Sequence, residues 1–270
     1  MSVEQSLLGK DTLYPTEYQP DILFPIARAT AREKYAHVAG IQNGLDWWHI
    51  FEISWLNEAG VPQVAIGRMT LPATSKNLIE SKSLKLYFNS LNFSKFASKE
   101  HFIQTVEKDL SKAAEAEVKL DLFQADDLAI AQPEGICIDT LSPERLEQHP
   151  DASLLAHDDQ SDMVDVQLYS HLLRSNCPVT GQPDWGTVFI RYQGKKPCYR
   201  SILAYIISYR QHNGFHEQCV EQMFADIWEN LKPEKLMVYA TYTRRGGLDI
   251  NPCRVSDLTW MPRPIRLARQ

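Results

Sequence analysis

The sequence of residues 215–231 reads FHEQCVEQMFADIWENL and predicts an amphipathic helix. Cys219, Met223 and Ile227 recur every four residues along it. This spacing places three apolar side chains on one face of a helix, where they form a stripe that needs burial. The elements before and after the helix therefore have to supply the surface that covers this stripe.

Strands are predicted on both sides of this helix. Residues 164–173 and 187–192 are predicted strands, and residues 236–242 form a closing strand with alternating apolar side chains. A shorter helix is predicted at residues 201–209. The second half of the chain is thus predicted to follow the order strand, strand, helix, helix, strand, which is an α+β arrangement.

The first half of the chain repeats this order. Residues 47–55 and 61–70 predict a hairpin, and His49, Phe51, Ile53 and Trp55 are predicted to share one face of its first strand. Residues 81–89 predict a short helix, Ser98 the N-cap of a longer helix, and residues 118–122 the closing strand. The apolar stripe of the longer helix, Phe102, Val106 and Leu110, lies 117 residues before Cys219, Met223 and Ile227. This match of pattern favours a duplicated unit.

Composition divides the chain into four parts. Residues 1–45 contain three prolines and predict an extended arm with little regular structure. Residues 46–124 form the predicted first module, and the acidic, irregular residues 125–163 form a connection. Residues 164–270 form the predicted second module with a C-terminal tail.

The bulk properties predict a globular protein of the cytoplasm. A hydrophobic fraction of 44% and a charged fraction of 23% are typical of a soluble domain. A net charge of −6 argues against direct binding of nucleic acid. No signal peptide or membrane-spanning run is visible. Five cysteines without a Cys-x-x-Cys pair indicate neither a disulfide framework nor a zinc ribbon, so a reducing compartment is expected.

Residues 175–185, SNCPVTGQPDW, hold a thiol and a carboxyl at the two ends of one turn-rich loop. Cys177 is a candidate nucleophile and Asp184 a candidate proton donor. The alternative is a buried structural cysteine and a turn-forming aspartate. The other four cysteines are predicted to be structural. No Gly-x-Gly-x-x-Gly and no metal-ligand spacing occur, so neither a Rossmann domain nor a metal site is predicted.

Four segments of the chain resemble the QueF-type nitrile reductases of the queuosine pathway, in their long two-module form. They are residues 79–85 (IESKSLK), 175–185, 215–219 (FHEQC) and 242–252 (YTRRGGLDINP). The resemblance runs from about residue 47 to the C-terminus. It implies tandem tunnelling-fold (T-fold) modules, with antiparallel sheets and helices on one face, a pocket where modules meet, and a homodimer.

The resemblance also implies roles for individual residues. Cys177, Asp184 and His216 match the catalytic positions, and the residues implied to bind the base are Ile79, Glu80, Ser81, His216 and Glu217. The residues implied to bind NADPH are Ser81, Lys82, Arg245 and Gly246. Without the resemblance, Glu80 would be a solvated charge at a helix start, and His216 and Glu217 would be capping and surface charge. The arginines before Gly246 would be a charged turn.

The reaction implied by the resemblance is reduction of the nitrile of 7-cyano-7-deazaguanine by two NADPH to 7-aminomethyl-7-deazaguanine. Cys177 would form a thioimide while Asp184 protonates nitrogen, and hydride additions would lead through an imine to the amine. Two alternatives stay open. One is another T-fold enzyme of purines or pterins, such as a cyclohydrolase-like hydrolase, and the other is a non-catalytic purine-binding module.

Overall fold

The computed structural model describes residues 14–159 and 162–270, and these contain eleven strands and five α-helices. Those of the first half are β1 (Pro25–Ala27), α1 (Ala29–Arg32), β2 (Gly44–Leu56), β3 (Pro62–Pro72), β4 (Asn77–Ile79), α2 (Ser81–Ser90), α3 (Lys99–Ala114) and β5 (Lys119–Phe123). Those of the second half are β6 (Ile136–Cys137), β7 (Met163–Ser170), β8 (Arg174–Asn176), β9 (Pro183–Lys195), α4 (Tyr199–Ser208), α5 (His216–Leu231), β10 (Lys235–Tyr242) and β11 (Leu248–Val255).

The described chain divides into two compact units. The first contains residues 14–30, 46–129 and 244–250, and the second contains residues 31–45, 130–243 and 251–270. Each unit is therefore assembled from three segments, whereas the predicted modules are continuous in sequence. The module boundaries stay a prediction.

The first unit is a sheet covered by two helices. Strand β3 lies between β5 and β2, and β1 pairs with β4 in a separate antiparallel ribbon. The core-facing residues of α2 and α3 pack against those of β2, β3 and β5; they include Leu84, Tyr87, Phe102, Val106, Leu110, Trp48, Ile53, Met69 and Leu120. Trp55 and Phe102 stack with ring centroids 4.5 Å apart. Full burial of each such side chain contributes about 1.5–3 kcal/mol to folding.

The second unit repeats this arrangement. Strands β7, β9, β10 and β11 are neighbours in antiparallel order, and β6 adds to β7 in parallel. Helices α4 and α5 cover one face, where Ile202, Cys219, Met223 and Ile227 pack on sheet residues such as Leu236, Val238 and Ala240. The predicted fold class, α+β with antiparallel sheets and helices on one face, is confirmed by both units.

The duplication predicted from the two apolar stripes is also visible in the structure. Helices α2 and α4 each have 10 residues, and α3 and α5 each have 16. Glu115 and Lys232, which end α3 and α5, both adopt the left-handed conformation, at φ 50° and 44°. Asp109 and Asp226, one on each long helix, each accept a hydrogen bond from a tyrosine of the shorter helix.

The predicted face of the first strand is wrong in part. In β2 the core-facing residues are Trp48 and Ile50, followed by Ile53 and Trp55, whereas His49 contacts Asp249. The parity of the side chains therefore changes between Ile50 and Ile53, as it does at a β-bulge. One inserted residue moves every following side chain to the other face, and simple alternation in the sequence does not reveal it.

The sequence predicts residues 236–242 as the closing strand, but in the structure one more strand, β11, follows it. All eight residues of β11 are buried, although Asp249, Asn251 and Arg254 are polar or charged. A strand that is buried on both faces lacks alternation, and polar residues hide its apolar character. Its signal is the Gly-Gly pair before it, which is typical of a hairpin turn.

The predicted arm contains more regular structure than expected. Its residues 1–13 lie outside the described residues, and residues 14–45 include β1 and α1. Arg28 is buried, and its Nε donates to Ser75 Oγ at 2.8 Å while its Nη2 lies 2.5 Å from Asp46 Oδ2. Elements of three and four residues are too short to show a period, and side-chain pairs hold them in place.

Candidate active site

The loop between β8 and β9 holds Cys177. The Cys177 N–H donates to the carbonyl of Gln182 at 2.9 Å, and the Gly181 N–H donates to the carbonyl of Cys177 at 3.0 Å. Gly181 adopts φ 66°, which a residue with a side chain rarely takes. Strand pairing sets Ser175 opposite Asp184. The loop is therefore closed on itself, and it fixes the backbone at Cys177.

Cys177 is buried in this structure. Its relative exposure is 4%, whereas the chemistry requires access to a substrate carbon. The neighbouring Cys219 on α5 is fully buried, and burial raises the pKa of its thiol to about 12. Cys219 therefore stays protonated at neutral pH, and its structural role remains a prediction.

Asp184 and His216 meet in the second unit. His216 Nε2 lies 3.3 Å from Asp184 Oδ2, and their relative exposures are 8% and 3%. Asp184 is the second residue of β9, and its side chain shares a face with Val188 and Ile190, which pack under the helices. His216 is the first residue of α5. A strand end and a helix start thus bring together two residues that are 32 positions apart.

The segment before α5 is fixed to β8. The Asn176 N–H donates to the carbonyl of His212 at 2.8 Å, and the Gly214 N–H donates to the carbonyl of Asn176 at 3.1 Å. A Cβ atom on Gly214 would lie 2.9 Å from His212 Nε2 and 3.3 Å from Cys219 Sγ, so only glycine fits without displacing neighbours. These contacts hold the start of α5 next to the Cys177 loop.

The surface-charge interpretation of residues 216 and 217 is not what the structure shows. Glu217 is 2% exposed and His216 8% exposed, in the first turn of α5. The N-cap, Phe215, offers no side-chain acceptor, and its N–H donates to Gln218 Oε1 at 3.3 Å. A carboxylate near the helix N-terminus interacts favourably with the helix dipole. Both side chains are therefore held inside the unit.

Tyr242 belongs to this group, although the sequence did not indicate a role for it. Its ring stacks on the His216 imidazole with centroids 3.8 Å apart and planes 4° apart. Burial raises the pKa of Tyr242 well above 10, so the phenol stays protonated. Tyr242 is the last residue of β10, and it was predicted only as one of the alternating residues of a closing strand.

In the first unit, Glu80 is the N-cap of α2. Its Oε1 accepts from the Lys82 N–H at 2.6 Å and its Oε2 from the Ser83 N–H at 2.8 Å. Glu80 lies at a helix start as the simpler interpretation required, but it is 1% exposed rather than solvated. Burial raises the pKa of its carboxyl, and the two N–H groups oppose that rise. Ile79, just before it, packs its side chain in the core.

The arginine–glycine segment forms a tight turn in the same unit. The Arg245 N–H donates to the carbonyl of Leu248 at 2.9 Å, and the Leu248 N–H donates back at 3.2 Å. Gly246 and Gly247 adopt φ 58° and 78°, as in a type I′ turn. A Cβ atom on Gly246 would lie 2.7 Å from Lys85 Nζ. Since Lys85 belongs to α2, the turn lies beside the helix that carries Ser81 and Lys82.

Comparison with known proteins assigns the family. A family model described as "Nitrile reductase, 7-cyano-7-deazaguanine-reductase N-term" matches residues 14–122, and one described as "QueF-like protein" matches residues 183–258. A protein of Acinetobacter baumannii named NADPH-dependent 7-cyano-7-deazaguanine reductase is 80% identical over 270 residues, the full length of both chains. The chain belongs to this family of nitrile reductases.

More distant members of the reductase family also match at full length. A protein of the same name from Acinetobacter baylyi is 76% identical over 272 residues, and one from Psychrobacter cryohalolentis is 52% identical over 289 residues. Each alignment covers 100% of this chain and 100% of the relative. The four sequence segments that resembled the nitrile reductases therefore identified the family correctly.

The residues predicted for nitrile reductase chemistry fall into two groups. The second unit contains Cys177, Asp184, His216 and Glu217. The first unit contains the other predicted site residues, Ile79, Glu80, Ser81, Lys82, Arg245 and Gly246. Within residues 14–159 and 162–270, no three His, Cys, Asp or Glu side chains are grouped so that they could hold a metal ion. No helix in these ranges has the length and apolarity needed to cross a membrane.

Proposed function

We infer that this chain is an oxidoreductase that uses NADPH to reduce the nitrile of 7-cyano-7-deazaguanine to the amine of 7-aminomethyl-7-deazaguanine, in tRNA queuosine biosynthesis. Relatives that are 52% to 80% identical over their full length carry the name of this activity. The observation in the structure that best supports the chemistry is the buried Asp184–His216 pair beside the Cys177 loop.

We propose that Cys177 is the nucleophile and forms a thioimide. The sulfur bonds to the nitrile carbon, one carbon–nitrogen π bond breaks, and the nitrogen gains a proton. The thiol loses a proton in the same step, so the addition needs a group that can both accept and donate one. Asp184, with His216 Nε2 3.3 Å from its carboxyl, is suited to that task.

Glu80 and Glu217 are proposed to recognise the base. A carboxylate has about four lone-pair sites. Glu80 Oε1 accepts from the Lys82 N–H and Ser81 Oγ, whereas Oε2 accepts from the Ser83 N–H and keeps capacity for another donor. The N–H groups on one edge of a guanine-like ring match such paired acceptors. His216 and Ser81 are proposed to contribute side chains to base binding. Because the Ile79 side chain is in the core, its proposed contribution is through the main chain.

The residues proposed for NADPH fit an anionic ligand. Ser81, Lys82, Arg245 and Gly246 lie in one unit, and Lys85 connects α2 to the turn at Gly246. Cationic side chains and exposed turn N–H groups are typical partners of phosphate. Bound NADPH supplies the hydrides. These side chains would hold and orient the dinucleotide. The residues of the Cys177 loop would transfer the proton.

Two measurements on the purified full chain test this function. Incubation with 7-cyano-7-deazaguanine and NADPH should oxidise two NADPH per base, seen as loss of reduced-nicotinamide absorbance. Without NADPH, the intact mass should rise by that of one base. Cys177→Ala should abolish this adduct, whereas Cys137→Ala and Cys198→Ala should retain it. An adduct on Cys177→Ala would refute the thioimide, and no NADPH oxidation by the wild type would favour the hydrolase or binding-module alternative.

We also propose that the chain forms a homodimer and is located in the cytoplasm. The dimer is supported by the resemblance to the two-module reductases alone. The location is supported by the chemistry, since Cys177 has to remain a thiol, which a reducing compartment ensures. Light scattering during gel filtration should give twice the 30.9 kDa mass of one chain. A mass of one chain at micromolar concentration would refute the dimer.

A further inference from the structure

The ring of Tyr242 is held rigidly beneath His216. Tyr242 has a relative exposure of 0% and pairs with Gly186 in the β9–β10 register. A Cβ atom on Gly186 would lie 3.2 Å from Tyr242 Cδ1 and 3.3 Å from the carbonyl oxygen of Thr241. The tyrosine ring therefore occupies the space that a side chain at position 186 would need. The Tyr242 ring thus lies next to Gly186 and stacks on the His216 imidazole.

The backbone of Tyr242 is also fixed. Its N–H donates to Asn251 Oδ1 at 3.2 Å, and its carbonyl accepts from Gln270 Nε2 at 3.3 Å. Gln270 Nε2 also donates to Asn251 Oδ1 at 2.8 Å. The buried amide side chains of Asn251 and Gln270 thus hold Tyr242, the last residue of β10. Without them this strand end would be free to fray. The Tyr242 ring forms the platform under His216, and these bonds anchor the backbone that carries it.

The orientation of His216 depends on this platform. A functional histidine is usually oriented by a hydrogen bond at the ring nitrogen that does not react. The Nδ1 atom of His216 is buried and has no hydrogen-bond partner among the residues that the structure describes. Its Nε2 atom lies 3.3 Å from Asp184 Oδ2. The ring centroids of His216 and Tyr242 are 3.8 Å apart and their planes differ by 4°. This stacking contact is therefore the one that defines the plane of the imidazole.

We propose that Tyr242 is a positioning residue of the reductase, whose ring holds the His216 imidazole so that Nε2 faces Asp184 during thioimide formation. The proposal rests on the function inferred above. The ring plane and not the hydroxyl carries this role, because the contact with His216 is a stack of the two rings. The buried hydroxyl has no hydrogen-bond partner among the described residues. Tyr242 touches neither substrate nor cofactor in this role and acts through His216.

The test is a double-mutant cycle on thioimide formation without NADPH, followed by stopped-flow absorbance and intact mass. Tyr242→Leu, which removes the ring plane, should slow the addition by about 100-fold, the lower end of a general acid–base contribution. Tyr242→Phe, which keeps the ring, should recover most of that rate. In a His216→Ala background, Tyr242→Leu should have no further effect, because the residue through which it acts is gone.

A matched control separates positioning from loss of stability. Tyr192 is also 0% exposed and packs in the same core, but its hydroxyl donates to the carbonyls of Lys195 and Leu231. Tyr192→Leu should lower the Tm without slowing the addition at 25 °C. An equal loss of rate from Tyr242→Leu in both backgrounds, or no loss in either, overturns the proposal. A wild type that forms no adduct would instead overturn the proposed function.

A spectroscopic measurement covers the case in which Tyr242→Leu does not fold. In protein labelled with ¹³C-histidine, the ring protons of His216 should resonate upfield, because they lie over the face of the Tyr242 ring. The signal is assigned by its loss in His216→Ala. It should persist in Tyr242→Phe. His216 ring protons at ordinary shifts in the wild type would show that the stack is absent, and the proposal would then be wrong.

Discussion

At the scale of single residues, burial distinguishes a functional carboxyl from a solvated surface charge. Asp184, Glu80 and Glu217 each have a relative exposure of 3% or less, although isolated carboxylates are seldom buried. Keeping a charged group away from water costs free energy unless partners compensate. Glu80 has such partners in the two N–H groups of α2. Buried carboxyls next to a cysteine loop or at a helix start are therefore functional candidates.

Asp184→Asn should separate binding from chemistry. The amide keeps the shape of the carboxyl, so affinity for the base should stay nearly unchanged. Thioimide formation should slow by about 10²–10⁴-fold, the usual contribution of general acid catalysis. Rapid-mixing kinetics of the adduct, together with calorimetric binding, would measure both. Wild-type rates of addition by Asp184→Asn would leave His216 as the proton donor and Asp184 as a turn residue.

At the scale of elements, the turn between β10 and β11 shows how two glycines set the local geometry of the segment proposed to bind NADPH. Gly246 and Gly247 both adopt positive φ, which allows the two-residue hairpin connection that matches strand twist. Their lack of side chains also lets Lys85 and Glu52 approach the turn. The hairpin places the Arg245 backbone beside α2, so a short sequence motif becomes a cationic surface of the first unit.

Gly246→Ala should weaken both the fold and NADPH binding. A residue with a side chain at φ 58° costs about 1–2 kcal/mol, and its Cβ would displace Lys85. Chemical denaturation should show this loss, and the KM for NADPH should rise. The control is Gly181→Ala, which has φ 66° but no atom within 4 Å of the added Cβ, so it should show only the backbone cost. An unchanged KM in Gly246→Ala would place NADPH elsewhere.

At the scale of the whole molecule, buried ion pairs connect distant parts of the chain within each unit. In the second unit, Glu221 of α5 accepts from Arg32 Nε at 3.0 Å and from Arg254 Nε at 3.2 Å. Arg254 is 0% and Glu221 3% exposed. These side chains come from three sequence regions of the unit: the segment after residue 31, helix α5 and strand β11.

Glu221→Gln should therefore destabilise the second unit strongly. Removing one partner of a buried pair leaves uncompensated charge and costs about 3–5 kcal/mol. Urea denaturation should show this as a lower midpoint. Asp165→Asn is the control, because the Asp165 and Arg191 side chains are 51% and 38% exposed, and such pairs contribute about 0–1 kcal/mol. Equal midpoints for the two variants would show that the Glu221 network adds nothing to stability.

The sequence by itself determined the four longer helices, most strands, the duplicated order and the family. Apolar stripes at a spacing of four and short motifs such as SNCPVTGQPDW are local, so they are visible without coordinates. Only the tertiary structure decided the burial of Glu80, the parity change in β2, the existence of β11 and the Tyr242 platform. These features depend on which distant residues surround a side chain. Tyr242 and His216 are 26 positions apart, and no local period connects the end of a strand with the start of a helix.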